Sequence, residues 1–188
     1  MGRVFADSNV LFPFSVMDVL LALSEDGVHE VIWTDDLLDE WERVIVREHK
    51  RSPESAAQIT TAVREFFKDG KVERDEYEHL IAEMPGKDAD DHAHMAAAVV
   101  RQPCTILTNN AKDFPTAPLA KRGMRVTDPD TYLCEIAQEL PDEVVDTLVR
   151  LAAEKTRPPK TAHNLLDDLE KAGVPWFAEM VRSLLPTS

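Results

Sequence analysis

Short apolar runs alternate along the first 130 residues with longer segments in which apolar residues recur every three or four positions. The short runs have the length and composition of strands, and the longer segments have the spacing of helices that bury one face. The runs predict four strands, at residues 3–7, 29–33, 104–108 and 124–127. Because strands separated by helices favour βαβ units, the pattern predicts a mostly parallel sheet covered by helices on both faces.

The helices predicted between these strands have recognisable starts and ends. Thr34 precedes two acids and predicts the N-cap of a helix over residues 35–49. Pro53 predicts the first position of the next helix, and Gly70 predicts its end. Further helices are predicted at roughly residues 15–23 and 88–100, around Leu119 and after Asp128.

The pattern changes at Pro141, after which three apolar segments with helical spacing follow and no strand is predicted. The chain therefore divides into an α/β domain over residues 1–140 and a helical C-terminal extension over residues 141–188. The extension has no chemical motif. Packing on the sheet domain, binding a partner and dimerisation are all open roles for it.

Length and composition fit one globular domain with a small appendage, since the chain has 188 residues, of which 44% are hydrophobic. No run reaches the roughly 18 uncharged apolar residues that a membrane helix needs. The N-terminus contains Asp7 and reads as a strand rather than a signal peptide. Cys104 and Cys134 are far apart and predict neither a disulfide framework nor a zinc site. These features predict a soluble cytoplasmic protein with no membrane association.

The net charge is −14, from 35 acidic and 21 basic residues. Such a charge argues against binding nucleic acid by overall electrostatic attraction. Clustered carboxylates can instead hold a hard divalent cation, which then reverses the local field. An ordinary acidic surface is the simpler explanation of the charge alone.

Three acids stand where a site is expected. Asp7 ends the first strand, Glu40 lies beside the apolar stripe of its helix, and Asp91 opens a helix among other acids. Each also has a structural explanation: an N-cap, a partly exposed helix flank and favourable placement at a helix N-terminus, respectively. His92 and His94 are two residues apart, which is poor spacing for zinc, and are expected at the surface or beside a substrate.

A polar segment follows the third strand. It contains Thr108, Asn109, Asn110, Lys112 and Asp113. Because the carboxyl ends of parallel strands meet at one edge of a sheet, these residues are expected near Asp7, where they could position a water or a phosphate. An ordinary polar turn is the alternative.

The ordered set of these motifs resembles the PIN-domain family, especially the VapC-type toxin ribonucleases, over roughly residues 3–130. The first strand ends in a D-[ST]-N-[VIL]-L motif that begins at Asp7, and Glu40 supplies the helical acid after the second strand. Asp91 begins a D-x4-A-x-A motif, and Thr108 begins T-x-[DN]-x-x-[DH]-F. The resemblance implies a three-layer α/β/α fold.

The resemblance also implies a metal-dependent endoribonuclease with Mg²⁺ or Mn²⁺ as cofactor, acting as the toxin of a type II toxin–antitoxin pair. Asp7, Glu40 and Asp91 would be the metal ligands, and Asn110 and Asp113 would complete the catalytic set. The expected substrate-binding residues are Ser8, Asn9, Thr108, Arg43 and Lys112. Expected partners are an RNA substrate, a cognate antitoxin and a second copy of the chain in a homodimer.

One departure from the family pattern favours an alternative. The family commonly has Asp where this chain has Asn110, which carries no charge and leaves a second metal site in doubt. A PIN-fold module that binds RNA or protein without catalysis is therefore the second hypothesis. A phosphatase of the haloacid dehalogenase type also begins with a strand-end Asp, but it requires another Asp two residues later, where this chain has Asn9.

Overall fold

The computed structural model describes residues 1–86 and 90–185, and within these ranges it leaves the side chains of Asp90 and Asp113 undescribed. Four strands form one sheet: β1 (Gly2–Ala6), β2 (His29–Ile32), β3 (Cys104–Leu107) and β4 (Met124–Thr127). They coincide with the four predicted strands to within a residue at each end. The sheet has the order β2-β1-β3-β4, and all of its pairings are parallel.

Helices connect the strands and continue beyond the last one. In chain order they are α1 (Ser8–Leu11), α2 (Phe14–Glu25), α3 (Asp35–Arg47), α4 (Pro53–Phe66), α5 (Arg74–Tyr77), α6 (Asp90–Val100), α7 (Thr116–Ala120), α8 (Pro129–Glu139), α9 (Pro141–Glu154), α10 (Ala162–Lys171) and α11 (Pro175–Leu184). The helix predicted at 15–23 is α2. The α1 helix before it was not predicted, because a single turn is too short to show helical periodicity.

Both faces of the central strands are covered. Successive residues of a strand point to opposite faces, and the neighbours Val4 and Phe5 of β1 are 1% and 0% exposed. Ile106 and Leu107 of β3 are each fully buried. Burial on both faces is typical of a parallel sheet between two layers of helices. The predicted α/β fold with a parallel central sheet is confirmed.

The order of the strands places a topological switch between β1 and β3. The chain leaves β1 toward β2 on one side, and β3 and β4 follow on the other side. The pairing continues past the strand ends, where Asp7 N donates to Leu107 O at 2.9 Å and Thr108 N donates to Thr127 O at 3.1 Å. Ligands of open α/β sheets bind at such switch points, beyond the carboxyl ends of the strands.

The two helices that follow β2 begin as predicted. Thr34 accepts a hydrogen bond from Leu37 N at the start of α3, and Pro53 occupies the first turn of α4. The predicted end of α4 at Gly70 is wrong, since the helix ends at Phe66. Gly70 instead lies against β2, where an added Cβ would be 1.8 Å from Val31 O.

The C-terminal helices pack on the α/β part of the chain. The α9 helix contacts α2, and α11 contacts α8. The buried Asp130 of α8 accepts hydrogen bonds from Trp176 N and Phe177 N. N–H groups in the first turn of a helix such as α11 have no acceptor within the helix, and Asp130 supplies one. Thr147 of α9 donates to Asp26 at 2.6 Å. The division at residues 140 and 141 stays a prediction, and α8 already packs with the helices that follow it.

Within the described ranges, no helix is long and apolar enough to cross a membrane. Cys104 and Cys134 are both free thiols. Burial raises the pKa of Cys104 to about 12 and that of Cys134 to about 11, so both thiols are protonated at neutral pH.

Candidate active site

Asp7 follows β1 directly and is 8% exposed. It occupies the N-cap position of α1, yet its side chain makes no capping hydrogen bond. Its Oδ2 instead accepts from Thr108 Oγ1 at 2.9 Å and from Asn9 Nδ2 at 2.5 Å. The capping explanation of this acid therefore does not hold. The strand end presents a nearly buried carboxylate that polar side chains hold in place.

Ser8 connects Asp7 to Glu40. The Ser8 hydroxyl donates to Glu40 Oε1 at 2.5 Å and lies 3.5 Å from Asp7 Oδ1. Glu40 thus turns from α3 toward the end of β1 and is not an outward-facing flank residue, although its side chain remains 38% exposed. Its other oxygen, Oε2, lies 3.4 Å from Nε2 of His94 on α6.

The segment after β3 supports this arrangement through Asn9. Asn109 donates its backbone N–H to Asn9 Oδ1 at 3.0 Å and its amide Nδ2 to Asn9 O at 3.1 Å. Thr108, which is fully buried, accepts from Asn110 N at 3.1 Å. Asn9 and Thr108 therefore fix the Asp7 carboxylate. The substrate contact expected of these two residues stays a prediction.

Asp7, Glu40 and Asp91 all line one open cleft of about 1000 Å³. Ser8, Asn9, Arg43 and His94 line it as well. The cleft lies beyond the carboxyl end of β1, with walls from α1, α3 and α6. Asp91 is half-buried in the first turn of α6.

The carboxylates of the cleft differ in how far basic side chains neutralise them. Asp36 accepts from Arg74 and, at 2.7 Å, from the Tyr77 hydroxyl. Burial, followed by the contact with Asp36, raises the pKa of Tyr77 to about 12, so Tyr77 stays a donor at neutral pH. Asp39 pairs with Arg64 at 2.7 Å. Asp7 and Glu40 are instead held by neutral hydroxyl and amide donors and by His94.

Two basic residues of α3 face the same cleft. Arg43 and Arg47 are four residues apart and therefore lie on one side of the helix. Among the described residues, Arg43 has no acidic side chain within ion-pair distance, whereas Arg47 contacts Glu48 at 3.2 Å. Arg43 therefore adds a positive charge beside the acidic centre, whereas Glu48, which also lines the cleft, offsets the charge of Arg47. The aromatic ring of Phe12 lies on this side too, with Lys50 Nζ 5.8 Å from its centroid.

The segment after β3 contributes less than expected. Asn110 is exposed, and its backbone N–H bonds to Thr108, whereas Lys112 is exposed in a short turn after β3. Neither residue is among those that line the cleft where the structure describes it. Asp113 has its side chain outside the described part of the chain, so its role stays a prediction.

His94 is the residue of the cleft that sequence reasoning missed. It was expected at the surface or beside a substrate, and the surface position is wrong, since His94 is 6% exposed. Because it lines the cleft, a position beside a substrate stays a prediction. Its ring packs on Phe5, with centroids 5.4 Å apart, and faces Glu40. The signal was its position three residues after Asp91, which puts both on one side of α6. Spacing between the two histidines alone did not show this.

The oxygen atoms of the side chains around Asp7 and Glu40 are of the chemical type that binds a hard cation. Carboxylate, hydroxyl and amide oxygens are the ligands of Mg²⁺, which often binds through one or two carboxylates and otherwise keeps its waters. Among the side chains that the structure describes, which exclude those of Asp90 and Asp113, no three histidine, cysteine or acidic side chains come close enough together to hold an ion. Asp7 and Glu40, whose carboxylates both lie within 3.5 Å of the Ser8 hydroxyl, offer oxygens of this kind. Ligation of a metal by Asp7, Glu40 and Asp91 stays a prediction.

The sequence motifs predicted an α/β fold with acids at the switch point of the sheet, as in the VapC-type PIN toxins. Comparison with known proteins supports a resemblance to the same family. Residues 129–183 match the family model of the VapC50 C-terminal domain. The curated protein "Putative ribonuclease VapC50" of Mycobacterium tuberculosis (strain ATCC 25618 / H37Rv) is 32% identical to this chain over 111 residues. These matches confirm the resemblance to the VapC-type PIN toxin family.

The match covers 59% of this chain and 64% of that relative, which is less than two thirds of the relative's length. No solved structure gives a significant match. The family model lies on α8 to α11, so the helices after the last strand have a counterpart in that family even though they carry no chemical motif.

Proposed function

We propose that the chain is a metal-dependent endoribonuclease that hydrolyses RNA phosphodiester bonds in the cleft beyond β1. The observation that supports this most is the Ser8 hydroxyl, which lies 2.5 Å from Glu40 Oε1 and 3.5 Å from Asp7 Oδ1. It brings two carboxylates from separate elements to one point at the switch of the sheet. The relative named as a ribonuclease supports the same class of reaction.

Asp7 and Glu40 would hold Mg²⁺ or Mn²⁺, with Asp91 on the facing wall of the cleft as the third predicted ligand. The bound cation would supply activation of a water molecule and neutralise charge that develops on the phosphate. Thr108 and Asn9 keep Asp7 in place through their hydrogen bonds. In hydrolysis the water oxygen bonds to phosphorus as the bond to the leaving oxygen breaks.

Arg43 and Arg47 would bind the phosphates of RNA on either side of the scissile bond. A guanidinium matches a phosphate in geometry as well as in charge. Phe12, on the same side of the cleft, offers a face on which a base can stack. These arginines would offset locally the repulsion that the net charge of −14 exerts on RNA.

The test is cleavage of a mixed RNA pool in the presence of Mn²⁺, with and without EDTA, by the wild type, Asp7→Asn and Asp91→Asn. We expect cleavage by the wild type with Mn²⁺, none with EDTA, and strongly reduced cleavage by Asp7→Asn. Equal cleavage by the wild type and both variants would contradict the proposal.

A PIN-fold module without catalysis is the second candidate. Two observations favour it: Asn110 stands where the family commonly has an acid, and three metal-ligating side chains do not come together among the described residues. Calorimetric titration with Mn²⁺ separates the two candidates. Absence of binding favours the inert module, whereas binding that Asp7→Asn abolishes favours the nuclease.

We also infer, from the family, that the chain is the toxin of a type II pair with a cognate antitoxin and that it forms a homodimer. Light scattering of the purified chain tests the dimer, and a monomer mass would contradict it. A neighbouring small gene for a DNA-binding protein would support the pair, and copurification of its product with this chain would test it.

A further inference from the structure

His94 is a buried polar residue, and packing against its neighbours does not explain why a histidine stands at this position. It lies in α6 with 6% of its surface exposed, and its ring packs on the fully buried Phe5. Burying an imidazole costs free energy unless its polar atoms have partners, so packing alone would favour an apolar side chain here. The polar contact of Nε2 is with Glu40 Oε2 at 3.4 Å.

Glu40 is therefore contacted on both oxygens, by residues of two other elements. Ser8 of α1 approaches Oε1, and His94 of α6 approaches Oε2. A glutamate on a partly exposed helix position otherwise has several rotamers, and fixing one of them costs side-chain entropy. Contacts from two sides select the rotamer that points toward Asp7.

We propose that His94 is a positioning residue for the cleavage reaction, whose Nε2–H holds the Glu40 carboxylate beside the Ser8 hydroxyl and Asp7. This inference rests on the proposed function, because it assigns His94 a role in that same site. Nε2 of His94 lies 3.4 Å from Glu40 Oε2, and a neutral imidazole with its proton on Nε2 can donate toward that oxygen, so the role requires no charge on the ring.

Steady-state cleavage of a single-stranded RNA oligonucleotide with Mn²⁺ tests the role in three variants. His94→Leu keeps apolar bulk against Phe5 and removes the donor, and His94→Gln keeps an N–H at similar reach. The matched control is His92→Leu, since His92 contacts Gly86 O at 3.3 Å instead of the cleft. Thermal unfolding is measured for each variant.

We expect His94→Leu to lower kcat about 10- to 100-fold with KM little changed, as loss of a residue that orients a metal ligand typically does. His94→Gln should recover kcat to within a few-fold of the wild type, and His92→Leu should match the wild type. A folded His94→Leu with wild-type kcat would overturn the proposal, as would equal losses in a folded His94→Gln and His94→Leu.

A second measurement needs neither activity nor metal. Nitrogen-15 spectra of the histidine rings report which nitrogen carries the proton, and we expect the Nε2–H form for His94 in the wild type, with its ring resonances shifted in Glu40→Gln. A proton on Nδ1, or His94 ring resonances that are unchanged in Glu40→Gln, would overturn the contact between His94 Nε2 and Glu40. This result would hold even if His94→Leu fails to fold. A wild type that cleaves no RNA while His94 shows the expected form would refute the proposed function, and with it the role of His94 in cleavage, but would leave the contact between His94 and Glu40 standing.

Discussion

At the scale of single residues, Glu40 is contacted by Ser8 and His94 beside Asp7 at the carboxyl end of β1. Asp7 and Glu40 were named from their place after a strand and beside an apolar stripe, and both line the cleft. The contacts through Ser8 and His94 join segments that are 32 and 54 positions apart from Glu40 in sequence. Such contacts depend on how α1, α3 and α6 pack, which local spacing does not encode.

A second buried histidine gives a prediction about acid stability. His29 is fully buried, its Nε2 donates to Leu20 O at 2.8 Å, and its Nδ1 lies 3.0 Å from the Tyr132 hydroxyl. Burial lowers the pKa of His29 from 6.5 to about 4. His29 therefore binds a proton below pH 6.5 in the unfolded chain but only below about pH 4 in the folded chain. Because the unfolded state binds more protons between these values, the free energy of unfolding falls as the pH falls through this window.

From pH 7 to pH 5 this one group should lower the free energy of unfolding by about 2 kcal/mol, at about 1.4 kcal/mol per pH unit. Urea unfolding of the wild type and of His29→Gln at both pH values measures it. His29→Gln should lose about 2 kcal/mol less than the wild type over this range. The same pH dependence in both proteins would show that His29 does not titrate in this way.

At the scale of elements, the strands and long helices followed from periodicity, and the exceptions have physical reasons. The α1 helix has four residues, which is one turn, so it shows no apolar repeat. Gly70 resembles a helix terminator in sequence, but its place is set by the close approach of the chain to β2. That contact is tertiary, and the sequence around Gly70 does not reveal it.

Gly70→Ala tests this close approach. The added Cβ would lie 1.8 Å from Val31 O, so backbone must shift, which typically costs about 1–3 kcal/mol or more. Gly2→Ala is the matched control, because its Cβ would meet no atom within 4 Å in the described structure. Denaturant unfolding should show a large loss for Gly70→Ala and almost none for Gly2→Ala. Equal stability of the two variants would contradict the contact.

At the scale of the whole molecule, the charge distribution bears on how an RNA substrate would approach the proposed site. The net charge of −14 would repel RNA overall, so binding would depend on the few cations at the cleft. Each phosphate contact of a single strand contributes about 0.7 to the slope of the logarithm of the binding constant against that of salt concentration. A small slope, set by few contacts, is therefore expected.

Arg43→Ala in the Asp7→Asn background should weaken binding of a single-stranded RNA oligonucleotide and reduce that slope by about 0.7. Arg182→Ala is the control, since Arg182 lies on α11 and pairs with Asp167, Glu170 and Glu179. Fluorescence anisotropy at several salt concentrations gives both slopes. If the salt-dependence slope of Arg43→Ala equals that of Arg182→Ala, Arg43 does not contact the RNA.

The most direct test of the two-carboxylate site compares Asp7→Asn with Asp39→Asn in single-turnover RNA cleavage with Mn²⁺. Both variants remove one negative charge from a side chain that lines the same cleft, but Asp39 is paired with Arg64, whereas Asp7 lies beside the Ser8 hydroxyl that binds Glu40. We predict a loss on the order of 100-fold or more for Asp7→Asn, comparable to removing a group that stabilises the transition state, and a rate within a few-fold of wild type for Asp39→Asn. Equal rates in the two variants would contradict a catalytic site built on Asp7.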